Sequence, residues 1–354
     1  MRRLAAGALC AVTCLTLAPD AFAATAVVGA GDRFAPGEVL WYIADQGEVN
    51  RVTIETTDID EEVEITDTGA TISPGAGCTS LAPTRVRCLV SLERRIVPTV
   101  EVKLGDGDDF LTSGALNGVF RGEDGNDTIV GGPGGVGFFE YLIGGAGNDL
   151  LRGRSGSEVL NGGLGADVLN GGSSIDCGLD FCFQMTDTVT YAGRTNGVVA
   201  DADGLADDGE PGEGDLIRRN VERIVGGRGN DVLTASTSRG SARYPFEPIV
   251  FGSTLQGRAG NDLLRGSRGR DFLIGQSGND VLRGYRGNDF ISGRSGGDRL
   301  VGNSGRDRLR AGKGRDFISA RDGQPDRVSG GRGSDEARID SGLDRVRWVE
   351  RILP

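Results

Sequence analysis

Acidic side chains that recur at fixed steps through a glycine-rich chain are the residues best placed to do chemistry here. Sixteen times between Leu104 and Arg347 an acid is followed two positions later by a small or aliphatic apolar residue, and in all but one unit it is preceded two positions earlier by glycine. The acids are Asp109, Asp127, Asp149, Glu158, Asp167, Asp231, Asp262, Asp271, Asp280, Asp289, Asp298, Asp307, Asp316, Asp326, Asp335 and Asp344. From Asp262 to Asp316 they fall at every ninth position. Carboxylates at a repeating step offer hard, anionic oxygen at a repeating place, which suits a hard cation. The chain has no histidine, so the commonest nitrogen ligand and the commonest general base are both missing.

The elements that position these acids are legible in the same units. The apolar residues are Leu111, Ile129, Leu151, Leu160, Leu169, Leu233, Leu264, Leu273, Leu282, Ile291, Leu300, Leu309, Ile318, Val328, Ala337 and Val346. The glycine on the other side of the acid supplies a positive-φ turn; the exception is Gln324, which precedes Pro325 and Asp326. Each unit therefore reads as a turn followed by a three-residue strand.

Two stretches show the unit in full: Gly144-Gly145-Ala146-Gly147-Asn148-Asp149-Leu150-Leu151-Arg152 and Gly162-Gly163-Leu164-Gly165-Ala166-Asp167-Val168-Leu169-Asn170. They resemble the glycine-rich nonapeptide of hemolysin-type calcium-binding (RTX) repeats. The resemblance implies a right-handed parallel β-roll or solenoid, two nonapeptides to a turn, with calcium between the loops of successive turns; with the small N-terminal β region at 24–103, the chain is expected to be all-β. Acids eighteen residues apart should then stack: Asp109 with Asp127 (Gly118 in the middle place), Asp149 with Asp167, Glu158 with Asp176, Asp262 with Asp280, Asp271 with Asp289, Asp280 with Asp298, Asp289 with Asp307, Asp298 with Asp316, and Asp326 with Asp344.

Calcium takes about 6–8 oxygen ligands, and stacked carboxylates with glycine-loop carbonyls supply oxygen alone. No cysteine pair lies near the acids at zinc spacing. Seventeen residues are thus expected to contact Ca2+: the sixteen acids above and Asp176. Two departures weaken the C-terminal run. The second glycine becomes Ser267, Gln276, Tyr285, Arg294 and Asn303, and arginine crowds the acids at Arg268, Arg270, Arg286, Arg299, Arg306, Arg308 and Arg315. An arginine can neutralise a carboxylate in place of a metal.

Residues 1–23 read as a secretory signal, with Arg2 and Arg3, an apolar run from Leu4 to Leu17, and Ala21-Phe22-Ala23 at the cleavage site. The apolar run is too short to span a bilayer, so no membrane span is expected. The mature chain keeps four cysteines in two local pairs, Cys78 with Cys88 and Cys177 with Cys182. Three pairings are possible, and loop-closure entropy favours the local ones in an oxidising, extracellular setting. The net charge of −12 argues against nucleic-acid binding and suits a cation-loaded protein.

Residues 24–103 form an N-terminal β region or cap, with alternation at Val49 to Glu55 and Thr99 to Lys103, broken by Pro36, Pro74 and Pro98. A first repeat block covers 104–185 and an acidic insertion 186–225. The insertion resembles one seen in exported actinobacterial proteins of this repeat class. Its acidic loop from Asp201 to Asp215 fails as an EF-hand, since Ala206 stands where the turn needs glycine. A second block covers 226–354, with a loop at 235–256 and a C-terminal capping strand whose Trp348 is expected to cover the last rung.

Gly293-Arg294-Ser295-Gly296-Gly297 matches G-x-S-x-G, but it lies inside the repeat register of a chain without histidine. The expected function is a secreted, calcium-binding protein with a structural or interaction role and no catalysis. Two alternatives stand beside it: a carbohydrate-active solenoid, such as a polysaccharide lyase or epimerase, and a calcium-dependent adhesin or surface-matrix protein. The adhesin would show an extracellular glycan or cell-surface partner its arginine-rich rungs, for example Arg265, Arg283 and Arg310.

Overall fold

A computed structural model describes residues 23–354 apart from 31–37, 58–61, 91–98, 115, 135–138, 174, 178–181, 237–241, 244–247 and 250. Residues 1–23, expected to be a signal, fall almost wholly outside the described residues. The chain is all-β, and each repeat unit forms the turn and short strand read from its sequence. Leu150–Arg152, Val168–Asn170 and Leu263–Arg265 are three-residue strands with a buried middle residue. Eight-residue strands such as Ser157–Leu164 and Arg270–Ser277 alternate with them.

Successive strands pair in parallel and in register. Leu151 lies beside Ile129 and Leu169, and Leu273 beside Leu255 and Ile291. Among the described residues one sheet of 15 strands runs the length of the molecule. The alternate strands build a sheet of 10 and a sheet of 8. The result is a parallel β-solenoid whose interior holds rows of apolar side chains, one from the long sheet and one from the shorter sheets. Leu111, Ile129, Leu151, Leu160, Leu169, Leu264, Leu282, Ile291, Leu300 and Leu309 are all fully buried. Each contributes roughly 1.5–3 kcal/mol by leaving water. The rows thin at the C-terminus, where Ala337 is buried but small and Val346 only half-buried.

The N-terminal residues continue the solenoid. The Glu38–Ile43 strand pairs in parallel with Thr99–Asp106, and Arg51–Thr56 with Phe110–Ser113. Beyond them the pairing turns antiparallel, through Ala24–Ala30 on one sheet and Glu62–Asp67, Arg85–Leu89 and Cys78–Ala82 on the other. Antiparallel hairpins close the end of the coil, where an uncapped parallel edge would invite further pairing. The Cys78–Cys88 disulfide ties this cap. Cys177 and Cys182 are register partners in a two-stranded ribbon, Ile175–Cys177 with Cys182–Gln184, and their side chains lie outside the described residues.

The acidic stretch after residue 186 also enters the sheets. Thr188–Thr190 and Arg223–Val225 join the long sheet, Asp215–Ile217 extends the 10-stranded one, and Val199–Asp201 starts the 8-stranded one. The 235–256 loop carries a small hairpin, Ala242–Arg243 with Pro248–Ile249, and its tip lies outside the described residues. Trp348 does not cover the last rung. The chain turns at Trp348 itself, with a positive φ of 52° just after Arg347 pairs with Ser329, and the side chain is 67% exposed.

Candidate metal centre along the acid ladders

The acid of each unit sits just before its strand, or second within it at Glu158 and Asp271, and all but the half-buried Asp344 are buried. There its Oδ1 accepts the backbone N–H of the acid one turn earlier. Asp109 donates to Asp127 at 2.9 Å, Asp127 to Asp149 at 2.8 Å, Asp149 to Asp167 at 2.9 Å and Asp167 to Asp215 at 2.9 Å. The same ladder resumes beside the 8-stranded sheet as Asp231, Asp262, Asp280, Asp298, Asp316 and Asp335, with steps of 2.8–3.0 Å, and ends on Glu350. A second ladder follows the long sheet: Glu158 to Asp187 at 3.2 Å and Asp187 to Glu222 at 2.8 Å, then Asp271, Asp289, Asp307, Asp326 and Asp344 at 2.8–2.9 Å.

Eight of the nine eighteen-residue pairings expected from the spacing are therefore rungs of the solenoid. The ninth is not, because Glu158 meets Asp187 while the backbone of Asp176 belongs to the separate two-stranded ribbon. The side chain of Asp176 lies outside the described residues. Gly118 does hold the acid's row in its turn, in register with Glu140, which is itself in register with Glu158.

Several ladder members escaped the spacing argument. Asp215 lies 48 residues from Asp167, and Asp187 lies 29 from Glu158. Glu140 is buried beside Gly132, whose N–H it accepts at 2.9 Å. A β-strand motif such as Asp187-Thr188-Val189, with an acid two before a buried apolar residue, carried the signal for the second of these. An outer ladder one residue earlier was also missed. Asn126, Asn148, Asn230, Asn261, Asn279 and Asn288 each accept the backbone N–H of the equivalent residue one turn later at 2.6–2.9 Å. Asparagine directly before aspartate was its sequence signature.

The second carboxylate oxygen is what makes these rows chemically unusual. Among the described residues, Oδ2 of Asp109, Asp127, Asp149, Asp167, Asp262, Asp280, Asp289, Asp298, Asp307, Asp316, Asp326 and Asp335 is buried without a hydrogen-bond partner. Such groups are expensive to bury. Burial accordingly pushes Asp109, Asp149 and Asp167 up to about 7 and Asp289 up to about 8, against backbone N–H bonds that pull the other way. Asp127, Asp307 and Asp316 rise to about 6 for the same reason. Burial together with the neighbouring Asp187 carboxyl raises Glu158 as well.

The crowding arginines do not neutralise the rows. Among the described residues, no ion pair joins Arg268, Arg270, Arg286, Arg299, Arg306, Arg308 or Arg315 to Asp280, Asp289, Asp298, Asp307 or Asp316; Arg315 instead meets Glu336 at 3.7 Å. The missing second glycines matter less than expected for shape, since Gln276, Tyr285, Arg294 and Asn303 adopt the same left-handed turn at φ 84°, 70°, 79° and 62°. Each such turn costs on the order of 1–3 kcal/mol without glycine. Ser267 changes the chemistry of its site. Its N–H and hydroxyl reach Asp271 Oδ2 at 2.5 and 3.0 Å. Gly227 likewise donates to Asp231 Oδ2 at 2.7 Å.

Whether a cation suits the remaining sites depends on what surrounds Oδ2. Glycine five residues before the acid leaves the space open: a Cβ at Gly122 would overlap Asp127 Oδ2 and lie 2.7 Å from the Gly144 carbonyl oxygen. Gly284 stands in the same relation to Asp289 Oδ2 and the Gly302 carbonyl at 2.8 Å, and Gly226 to Asp231 Oδ2 and the Gly257 carbonyl at 2.9 Å. Among the described residues no three acidic, cysteine or histidine side chains converge on one point. The donor set at each gap is thus one carboxylate oxygen with backbone carbonyls from adjoining turns. All donors are hard oxygen, anionic and neutral together, which fits calcium and excludes the nitrogen and sulfur shells of zinc or copper.

The acidic loop is held onto the ladder by Arg194. Its guanidinium meets Glu213 at 2.7 Å and Glu210 at 3.5 Å and donates to the Gly163 carbonyl. Tyr191 donates from its hydroxyl to Asp215 Oδ2 at 3.0 Å, so this rung is satisfied by protein groups.

The geometry agrees with comparison against known families. The model for the RTX calcium-binding nonapeptide repeat (4 copies) matches residues 104–136, 134–169, 220–237, 256–291, 292–325 and 301–337. The matches span both ladders and resume at residue 220, where the chain re-enters the long sheet. No curated protein matches the chain. With nonapeptide repeats matched along both blocks and a parallel solenoid built from them, the chain is a hemolysin-type calcium-binding (RTX) repeat protein.

Proposed function

We propose that this is an exported protein whose two acid ladders take up several calcium ions after secretion, and that its role is structural or interactive without catalysis. The row of buried, unpartnered Oδ2 atoms is the observation that carries the reading. Asp109, Asp127, Asp149 and Asp167 on one ladder, Asp262, Asp280, Asp298, Asp316 and Asp335 on its continuation, and Asp289, Asp307 and Asp326 on the other would hold the ions with adjoining glycine carbonyls. Bound calcium supplies positive charge where the fold has buried only negative charge. Asp231 and Asp271, whose Oδ2 atoms are already served by N–H or hydroxyl donors, would bind less tightly.

Burial also supports the non-catalytic reading. Apart from Glu222 at 9%, the ladder acids from Asp109 to Asp335 are at most 3% exposed, which favours a role inside the coil over one as acid or base to a polymeric substrate. Export is supported by the N-terminal segment and by the Cys78–Cys88 disulfide. Extracellular calcium modules work at about 10⁻⁴–10⁻³ M, the range expected here. The test is far-UV circular dichroism of the mature chain titrated with calcium, with magnesium as control and Asp127→Ala/Asp149→Ala as variant. A β-transition driven by calcium alone and weakened in the variant supports the proposal; a spectrum blind to calcium overturns it.

A further inference from the structure

Formal charge is spread unevenly along the solenoid. Residues 256–354 hold 20 Arg and Lys against 14 Asp and Glu, a net of +6, so residues 1–255 carry −18 of the total of −12. Nine of those 14 acids are ladder aspartates buried in the interior, which leaves Asp322, Glu336, Asp340, Asp344 and Glu350 to balance the surface. The outside of the solenoid over residues 256–354 is therefore strongly basic.

Register concentrates that charge on one face of the long sheet. Phe272, Phe290, Arg308, Arg327 and Arg345 are successive partners on adjacent strands, flanked by buried residues, or half-buried ones at Arg345, and so directed outward. In-register strands lie ~4.8 Å apart, so three exposed arginines stand in a straight row at that spacing. Arg270 lies over the Phe272 ring at 5.4 Å and Arg310 over Phe290 at 5.6 Å, and the two rings pack at 6.0 Å. Arg270, Phe272, Phe290, Arg308, Arg327 and Arg345 line a cleft of about 740 Å³, to which the ladder acids Asp289, Asp307 and Asp326 also contribute. Among the described residues Arg306, Arg308, Arg327 and Arg345 make no salt bridge.

A row of like charges across adjacent strands is unfavourable by itself. Each guanidinium presents a planar fork suited to carboxylate or sulfate. We propose that this face binds a linear anionic polysaccharide, with Arg308, Arg327 and Arg345 each taking one acidic group along the polymer. Nucleic acid suits it less well. The two rings already carry guanidinium groups where bases would stack, and a flat sheet enters no duplex groove. The inference rests on the chain being exported, where such polymers occur, and not on its calcium sites.

Isothermal titration of the mature chain with short uronate oligomers and heparin-derived oligosaccharides tests it, in calcium and in chelator, with neutral dextran oligomers and single- and double-stranded oligonucleotides alongside. The two acidic glycans distinguish carboxylate from sulfate recognition. One of them should bind while dextran does not. Each arginine removed should weaken binding about 5-fold, and Arg308→Ser/Arg327→Ser/Arg345→Ser about 100-fold. Arg265→Ser/Arg283→Ser/Arg299→Ser, on the 8-stranded sheet, should change it by less than about 3-fold. Equal loss in both triple variants, oligonucleotides binding as tightly as the glycans, or no glycan binding would each overturn the proposal. Arg327→Ser alone serves if circular dichroism shows the triple variant unfolded. A calcium-blind spectrum with intact glycan binding would remove the calcium reading and leave this one standing.

Discussion

Protons should replace calcium in folding this chain. Thirteen buried acids are pushed by burial to values between about 6 and about 8, from Asp127, Asp307 and Asp316 at about 6 to Asp208 and Asp289 at about 8. A three-unit rise corresponds to about 4 kcal/mol per site when the unfolded carboxyl is ionised. Reduced threefold for coupling and water penetration, thirteen sites still oppose folding by on the order of 18 kcal/mol at pH 8, more than the roughly 5–15 kcal/mol by which domains are stable. The sign follows from the raised values. The folded state holds these protons more tightly, so stability from protonation is complete below about pH 4 and is lost as pH rises through about 6 to 8. In chelator, far-UV circular dichroism should therefore show β-structure growing as pH falls from 8.5 to about 5.5. Calcium added at pH 8.5 should produce the same spectrum. A chelated chain that is fully β-rich at pH 8.5, with urea stability flat from there to 5.5, would refute the reasoning.

Further outcomes follow from particular residues. Gly144→Ala places a Cβ onto Asp149 Oδ2 and beside the Gly162 carbonyl, whereas Gly193→Ala meets nothing within 4 Å. The first should raise the calcium midpoint and cost about 1–3 kcal/mol in urea unfolding in calcium, and the second should change neither. Leu151→Ala empties a fully buried rung and should cost about 2–5 kcal/mol in the same assay. Cys78→Ser/Cys88→Ser should cost about 2–3 kcal/mol, seen as loss of hydrogen-exchange protection confined to the N-terminal strands. Asp271→Asn should disturb calcium affinity less than Asp289→Asn, because Ser267 already serves Asp271.

Most of the architecture was legible because one nine-residue unit states the turn, the acid and the core residue together. Wherever units follow without a break, as from Asp262 to Asp316, sequence spacing becomes rung spacing. It fails where the chain leaves the coil and returns. Asp167 meets Asp215 across 48 residues and Asp231 meets Asp262 across 31, and nothing in the intervening composition states which acid closes the gap. Asp176 was misplaced for the same reason, as the expected eighteen-residue step fell inside a local ribbon. Trp348 was misjudged because hydrophobicity alone argues for burial, while the chain turns at this residue with a positive φ and leaves its side chain exposed. The charge asymmetry was hidden by a net value that sums buried acids with exposed arginines.

Isothermal titration of the chelated mature chain with calcium at pH 7, in two buffers of different ionisation enthalpy, tests the central claim most directly. The buried carboxyls must give up protons as the metal enters. The account predicts several calcium ions bound per chain, proton release growing as pH is lowered from 8 to about 6.5, no comparable heat from magnesium, and reduced stoichiometry in Asp127→Ala/Asp149→Ala. Binding of no calcium, or binding without proton release at any pH in that range, would contradict it.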